Sequence, residues 1–560
     1  MTSSRAAERR PPATYADAAE ITSFAETLAR FERGEIDAEA WRAYRVARGA
    51  YGQRQDGVHM LRVKVPQGAA SSSQLRALAE VARRFSGGAL HVTTRQNVQL
   101  YFVKPADLEP AMRQLAEAGL TTSGSGGNTV RNVVACPYAG VAKDELFDVT
   151  PYAEAFTRHF LRHSLGQSLP RKFKVAFEGC GEDHVGTAIQ DLGFRARLRG
   201  EGPTSARGFA VTVAGGTSTL CTSGALLLEF LPAGEILAVG EAVVRVFHAH
   251  GDRVNRQRNR LKFLVRSLGF EAFRELVLAE LERIRSEGAP RLPFDPEKLN
   301  VEQAPASRPT TTPPGGARGT FPATNTRPQR QAGYSTVVIS LPQGAATGAQ
   351  LEVVAWLAKA YGDGAVRFTG GGHLLMRWIR NGDLPALHAR LASAGLGRDG
   401  AGSAADVLAC PGTEVCRLAV TETREPARLI EAEVRRTLAT TGLEARFPVR
   451  MSGCPNGCSQ HHVAAIGLQG SIRKAGGEPR PHYMVLLGGH VHDCGAVFGQ
   501  AAATIPASLA PAVVARLASL YLEERLDGES AGAYLAREFD RARQAVAELC
   551  QHAGGPSAPS

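Results

Sequence analysis

Two distant stretches of this chain carry the same alternation of apolar and polar positions. Leu61–Phe85 reads LRVKVPQGAASSSQLRALAEVARRF and Val337–Tyr361 reads VVISLPQGAATGAQLEVVAWLAKAY, with Gln343 standing 276 positions after Gln67. In each copy the alternation predicts a short strand, PQGAA a turn, and the helical spacing of apolar residues an amphipathic helix. Each continues into another strand, HVTTRQNVQLYFV or RFTGGGHLLMRWI, and a further helix around Leu108–Ala118 or Leu384–Ala394. Strand–helix–strand–helix of this length predicts a split β-α-β unit, half of a ferredoxin-like fold.

The duplication runs on into cysteines. Cys136 in VVACPYAG matches Cys410 in VLACPGTE, and Cys180 in VAFEGC matches Cys454 in VRMSGC, both at an offset of 274. Two matches at one offset are a signature of duplication. The expected architecture is therefore α+β and internally duplicated. Two ferredoxin-like half units pair into one domain, and two further α/β lobes surround the chemistry. The expected boundaries are a disordered tail over 1–29, an N-terminal segment with the first repeat over 30–120, and a first lobe over 121–300. A linker over 301–333, a second repeat over 334–396, a second lobe over 397–548 and a tail over 549–560 complete the chain. The linker rests on the Pro-rich, aperiodic run QAPASRPTTTPPGGARGTFPATNTRPQRQAG.

Composition narrows the class. At 560 residues the chain exceeds one ordinary core, and 44% apolar with 21% charged residues is a globular balance. The most apolar stretch, Ala225–Val244, is broken by Glu229, Pro232, Glu235 and Glu241, which argues against a membrane span. Prolines rather than an apolar run follow Arg9 and Arg10, so no export signal is visible and cytoplasm is the expected compartment. A net charge of +11 suits anionic ligands or an acidic partner. No nucleic-acid motif accompanies that charge, and aromatics make up only 6%.

The second half adds a cysteine to each member of the pair, as Cys410-x5-Cys416 and Cys454-x3-Cys458, where the first half has Ala142 and His184. Four thiolates from two Gly- and Pro-bearing turns suit an iron–sulfur cubane, because soft sulfur matches iron. Structural zinc also takes four cysteines, but its knuckles are usually C-x2-C, which favours the cluster.

ACPGTEVCRLAVT followed by RMSGCPNGCSQH resembles the signature of the sulfite and nitrite reductase family. The resemblance covers roughly residues 30–545. It implies a sirohaem beside a 4Fe–4S cluster held by Cys410, Cys416, Cys454 and Cys458, with Cys458 also the axial ligand of the sirohaem iron. It further implies an anion site built from the basic segments TTRQ, VRNV and PRKFK, that is from Arg95, Arg131, Lys172 and Lys174. Sirohaem carries eight carboxylates and sulfite two negative charges, so several cations are needed to hold both out of water. The arginines can fork onto oxyanion oxygens. The lysines, spaced to share one strand face and crowded by other cations, should release protons readily. Arg95 has Gly371 opposite it in the second copy, so one half supplies the anion site and the other the cluster.

The expected reaction is six-electron reduction of sulfite to sulfide, with nitrite to ammonium as the alternative. Nitrite-reducing relatives commonly read PRKWN where this chain reads PRKFK. No dinucleotide fingerprint, flavin domain or ferredoxin insert is recognisable, so electrons are expected from a separate ferredoxin, with an NADPH flavoprotein subunit as the rival donor. A monooxygenase of cobalamin synthesis shares the frame without the full basic set, and a non-catalytic iron–sulfur or zinc protein would explain only the cysteines. Cys136, Cys180 and His184 are read as a relic of duplication rather than a second metal site, since the fourth ligand would be Ala142. Tyr101 replaces the family's usual His, either at a cofactor contact or as a packed strand residue. His461 and His462 are expected to pack or to meet solvent, with approach to the cofactor as the other reading, and LLGGHVHDCG to run close to the sirohaem or to form a plain turn. Cys221, Cys494 and Cys550 have no evident partner.

Overall fold

The first repeat keeps the predicted strand, turn and helix, but the single strand expected over HVTTRQNVQLYFV is a hairpin of two strands, as is its counterpart RFTGGGHLLMRWI. The computed structural model describes residues 14–200, 202, 205–298, 302–305, 320–438, 440–475, 477–493 and 495–552. Two helices, α1 (Ala18–Glu32) and α2 (Ala38–Ala47), come first, each started by an aspartate, Asp17 or Asp37, whose carboxylate accepts from backbone N–H groups of the first turn. α1 packs Ile21, Phe24 and Leu28 into the core. This corrects the tail expected over 1–29: order begins before residue 18, and only residues 1–13 lie outside the description. Strands β1 (Ala50–Gly52), β2 (His59–Val63), β3 (Ala69–Ser71), β4 (Ala89–Val92) and β5 (Val98–Val103) follow, with helices α3 (Ser72–Phe85) and α4 (Leu108–Glu117). A reciprocal capping box between Ser71 and Gln74 starts α3. The PQGAA turn passes Gln67 through left-handed backbone, φ 55°.

The first lobe is a five-stranded mixed sheet. Its strands are β6 (Val134–Ala135), β7 (Val175–Glu178), β8 (Leu192–Arg199), β9 (Ala206–Val213) and β10 (Ala225–Pro232). They lie in the order β10-β9-β8-β7-β6, with β6, β7 and β8 parallel and the rest antiparallel. Helices α5 (Thr150–Leu161), α6 (Ile236–His250), α7 (Leu261–Leu268) and α8 (Phe270–Gly288) cover it. Phe177 and Phe194 stack at 4.5 Å within its core, with Phe209 edge-on to both. Such pairs add about 0.5–1.5 kcal/mol beyond burial.

The second repeat starts earlier than the linker boundary at 333 implied. A short helix, α9 (Phe321–Asn325), buries Phe321, and β11 (Thr326–Pro328) pairs with β12 (Tyr334–Ile339). Glu302 is also tied down, by Arg377 at 3.1 Å and the Trp378 indole at 3.2 Å. Pro-rich composition hid these contacts; residues 306–319 lie outside the description. The repeat continues with β13 (Ala345–Thr347), α10 (Gly348–Tyr361), β14 (Ala365–Phe368), β15 (Leu374–Arg380) and α11 (Leu384–Ser393). Thr347 and Gln350 repeat the capping box of α3.

The two repeats exchange strands. β13 completes the first sheet against β4, with Ala346 opposite Leu90, and β3 completes the second against β14, with Ala70 opposite Val366. The orders are β1-β2-β5-β4-β13 and β11-β12-β15-β14-β3, and one hydrophobic core runs through both. The expected pairing of half units into one domain is thereby realised.

The second lobe repeats the first. β16 (Val407–Ala409), β17 (Val449–Ser452) and β18 (Ile466–Ala475) are parallel, and β19 (Glu478–Leu487) and β22 (Gln500–Pro506) follow antiparallel. Between the last two lies a small hairpin, β20 (His490–His492) and β21 (Gly495–Val497). Helices α12 (Arg424–Thr437), α13 (Ala510–Glu524), α14 (Ala531–Arg537) and α15 (Phe539–His552) pack on the sheet. α15 carries order through His552, four residues into the expected tail, and 553–560 lie outside the description. Among the described residues no helix is long and apolar enough to cross a membrane.

Candidate active site between the lobes

Parallel neighbours β16 and β17 end side by side, and each runs out into a cysteine turn. Cys410 follows β16 directly and Cys454 follows β17 by two residues, so Gly453 N–H donates to Cys410 Sγ at 3.3 Å. Cys410 and Cys454 are buried, Cys416 is half-buried and Cys458 is exposed. Burial pushes the Cys410 thiol up to about 12, with Cys458 and Cys454 adding to it. Cys454 is also raised, by burial first and then by Cys458 and Cys416 against the Asn456 backbone N–H. All four sulfurs thus share one electrostatic neighbourhood that a bound cationic centre would relieve. Yet no three of them, among the described residues, lie within 4.8 Å of one another. A single zinc would hold its sulfurs about 3.8 Å apart. The wider spread fits a cubane, whose four cysteines bind four different irons. Gly457 makes the second turn possible: its φ is +64°, and a Cβ there would meet the His462 ring at 2.8 Å.

The first repeat clamps this region. Arg54 N–H donates to Val415 O at 2.7 Å and its guanidinium to Ala419 O at 2.7 Å, while Gln55 donates to Glu414 O. Tyr101 packs with Met60 against Val415, inside the first cysteine turn, so it is a buried neighbour of the cysteines rather than an outward strand residue. Thr94 Oγ1 donates to Cys458 O at 3.0 Å. That bond joins the TTRQ segment to the C-x3-C turn.

Arg95, one residue on, is spent on scaffolding. Its guanidinium donates to Asn132 O, Val175 O and the Gln190 side chain, at 2.6 to 3.1 Å. Arg131 likewise donates to Gly127 O, Ser125 O and the Tyr51 hydroxyl. Each arginine therefore retains one N–H rather than the free fork expected of it. Burial pulls both below the ordinary guanidinium value.

The lysines are arranged differently. Phe173 between them is buried and bridges Val130, while Lys172 and Lys174 are half-buried on the opposite face. The segment just precedes β7 rather than belonging to it, but the alternation holds. Among the described residues neither ammonium has a hydrogen-bond or ion-pair partner. Burial first, then Arg260 and Arg131, draws Lys172 down to about 7, with Cys458 opposing. Lys174 falls well below its usual value through burial and the charges of Lys172, Arg260 and Arg95.

Several supporting residues escaped the sequence reading. Asp191 forms a buried ion pair with Arg260 at 2.9 Å and accepts from Lys174 N–H at 2.9 Å. Arg260 Nε is buried without a hydrogen-bond partner among the described residues, and Lys262 donates to Thr217 O at 2.8 Å. The basic run NRQRNRLKF was the available signal. Asn132 bridges Val65 and Arg95 through both ends of its amide. His461 and His462 are buried, with rings 3.9 Å apart, and burial lowers them to about 3 and about 4, so both are neutral. The segment Leu486–Gly495 is a turn and hairpin in which Gly489 lies against His462 O and Ala464 O; Cys494 lies outside the described residues. In the first lobe Cys136, Cys180 and His184 do converge, and Glu178, not Ala142, is the fourth group.

Fold and site together define a duplicated frame with a four-cysteine centre beside a half-buried pair of lysines that have no hydrogen-bond or ion-pair partner among the described residues. Family models for the nitrite and sulphite reductase 4Fe-4S domain match residues 126–284 and 401–536, and those for the nitrite/sulfite reductase ferredoxin-like half domain match 51–118 and 327–394. The chain belongs to the nitrite and sulfite reductase family, whose members carry a sirohaem and a 4Fe–4S centre. It is 31% identical to a ferredoxin–nitrite reductase of Synechococcus elongatus over 78% of this chain and 80% of that one. It is 30% identical to a ferredoxin sulfite reductase of Mycobacterium tuberculosis over 77% of this chain and 73% of that one. The solved structure of the Mycobacterium tuberculosis NirA protein superposes with a TM-score of 0.76 at 27% identity, covering 92% of this chain and 96% of that chain.

Proposed function

We propose that this chain reduces sulfite to sulfide at a sirohaem coupled to a 4Fe–4S cluster, with ferredoxin as the donor. The observation that carries the reading is the pair of ammonium groups, Lys172 and Lys174, without a hydrogen-bond or ion-pair partner among the described residues, the first within electrostatic reach of Cys458 and the second of Lys172. Four cysteines would hold the cluster, Cys458 would also hold the sirohaem iron, and Lys172, Lys174 and Arg260 offer cationic donors for its carboxylates. Bound there, the two groups would supply electrons one at a time.

The remaining work falls to side chains. Reducing sulfite consumes protons as each oxygen leaves as water, and a lysine titrating near neutrality can both attract the anion and give it a proton. Arg95 and Arg131 add permanent charge and one donor each, while their carbonyl partners keep the pocket in shape. Lys174, where nitrite-reducing relatives commonly place Asn, favours sulfite. The +11 net charge complements an acidic electron carrier. The nitrite reductase relatives support a second reading, nitrite to ammonium at the same centre.

Turnover of the loaded enzyme with reduced methyl viologen decides between them. A higher kcat/KM for sulfite, with sulfide as product, is expected; a higher value for nitrite overturns the sulfite reading. The pH profile should carry a basic limb. Lys172 is protonated below its pKa and donates only in that form, so activity declines as pH rises through it. Cofactor carboxylates raise the value from about 7, so the limb begins above pH 7. Lys172→Met should flatten it, as seen in kcat/KM from pH 6 to 10.

A further inference from the structure

We infer that Cys136, Glu178, Cys180 and His184 bind a single zinc ion in the first lobe, apart from the catalytic centre. The four ligand atoms all lie within 4.8 Å of one another. Cys136 Sγ is 3.4 Å from Cys180 Sγ and 3.4 Å from His184 Nδ1, and His184 Nδ1 is 3.6 Å from Glu178 Oε2. A tetrahedral ion with two sulfur, one nitrogen and one oxygen ligand spaces them about 3.3–3.8 Å apart. The contrast with the second lobe is direct. Cys136 and Cys180 occupy the same strand ends as Cys410 and Cys454, but here the donors close to the span of one ion instead of opening for a cubane.

The surroundings are those of a metal site. Glu178 is fully buried, and the Cys136, Cys180 and His184 side chains are at most 7% exposed. Glu178 Oε1 accepts from Gly179 and Cys180 N–H and Oε2 from His184 N–H, which orients the carboxylate and leaves Oε2 a lone pair for a metal. On the far side of the ring, His184 Nε2 lies 3.2 Å from both Glu182 Oε2 and Arg327 Nη1, and donation to the carboxylate would leave Nδ1 as the metal ligand. Glu182 is in turn paired with Arg327 and Arg446 from the other half. Mixed sulfur, nitrogen and oxygen ligation selects zinc among common divalent ions.

Such an ion would pin the segment from Glu178 to Asp191. Gln190 in that segment accepts from Arg95, and Asp191 holds Arg260 and the Lys174 backbone, so the site would brace the anion pocket without touching it.

Elemental analysis of the purified, cofactor-loaded enzyme should find about one zinc per chain besides the iron of cluster and haem. Cys136→Ser/Cys180→Ser should lose that zinc, keep cluster iron, and melt about 5 °C lower. Zinc absent from the wild type and not taken up on titration with Zn²⁺, or zinc retained in the double variant, overturns the proposal. X-ray absorption at the zinc edge of the wild type needs no variant to fold: two sulfurs with two nitrogen or oxygen ligands are expected, and any other set overturns it. A Cys136–Cys180 disulfide in the native protein, read from intact mass, would overturn it as well. None of these readouts depends on which anion is reduced.

Discussion

Cys458→Ser should leave less than about 1% of anion-reducing turnover, because one sulfur is proposed to hold both the cluster and the sirohaem iron. Two features of the residue support that proposed double duty. It is the exposed member of a set whose other thiols are buried or half-buried, and its carbonyl is held by Thr94 from the opposite half. Serine keeps the size and the backbone bond but replaces a soft, polarizable thiolate by a hard alkoxide that binds iron poorly in clusters. The measurement pairs reduced-viologen oxidation with iron, labile sulfide and the sirohaem absorption bands. Full-rate turnover with both groups in place would sink the proposed role of Cys458.

Lys174→Met should slow sulfide formation by about 10²–10⁴-fold, the range for loss of a positioned proton donor. Methionine nearly matches the lysine stem in volume, and the Lys174 N–H bond to Asp191 belongs to the backbone, so the fold has little reason to change. The expected signature is a fall in kcat with sirohaem and iron content intact. Lys174→Arg separates charge from proton supply: KM for sulfite should stay near the native value while kcat remains low, since a guanidinium does not give up its proton. A native rate in Lys174→Met would remove the residue from the chemistry.

Much of this frame was legible because duplication prints everything twice. The PQGAA turns and the cysteine offsets each confirmed the other copy, and the structure adds matching capping boxes at Ser71 and Thr347. The exchange of β3 and β13 was not legible, since three-residue strands carry too little pattern to choose a partner. α1 was missed by reading composition instead of spacing: Ile21, Phe24 and Leu28 recur at helical intervals inside a run that looked merely Ala-rich. In the site, residue types pointed to the cysteines and cations, but not to their hydrogen-bond partners. Arg95 looked like a free anion fork because the carbonyls that occupy it come from distant segments, and Arg131 did because the loop that folds Ser125 O and Gly127 O back onto it has no periodic pattern. Glu178 gave no signal at all; a lone acid ending an apolar strand becomes a ligand candidate only when Cys136, far upstream, closes on it.

The traded strands also say something about how such a chain can be divided. Each repeat finishes its neighbour's sheet, so a polypeptide cut between the halves would leave two raw β edges, one per fragment. Alone, either fragment would offer that edge to any strand it met. Together, the fragments could zip back into the original pair of sheets, which makes covalent continuity dispensable and mutual recognition essential.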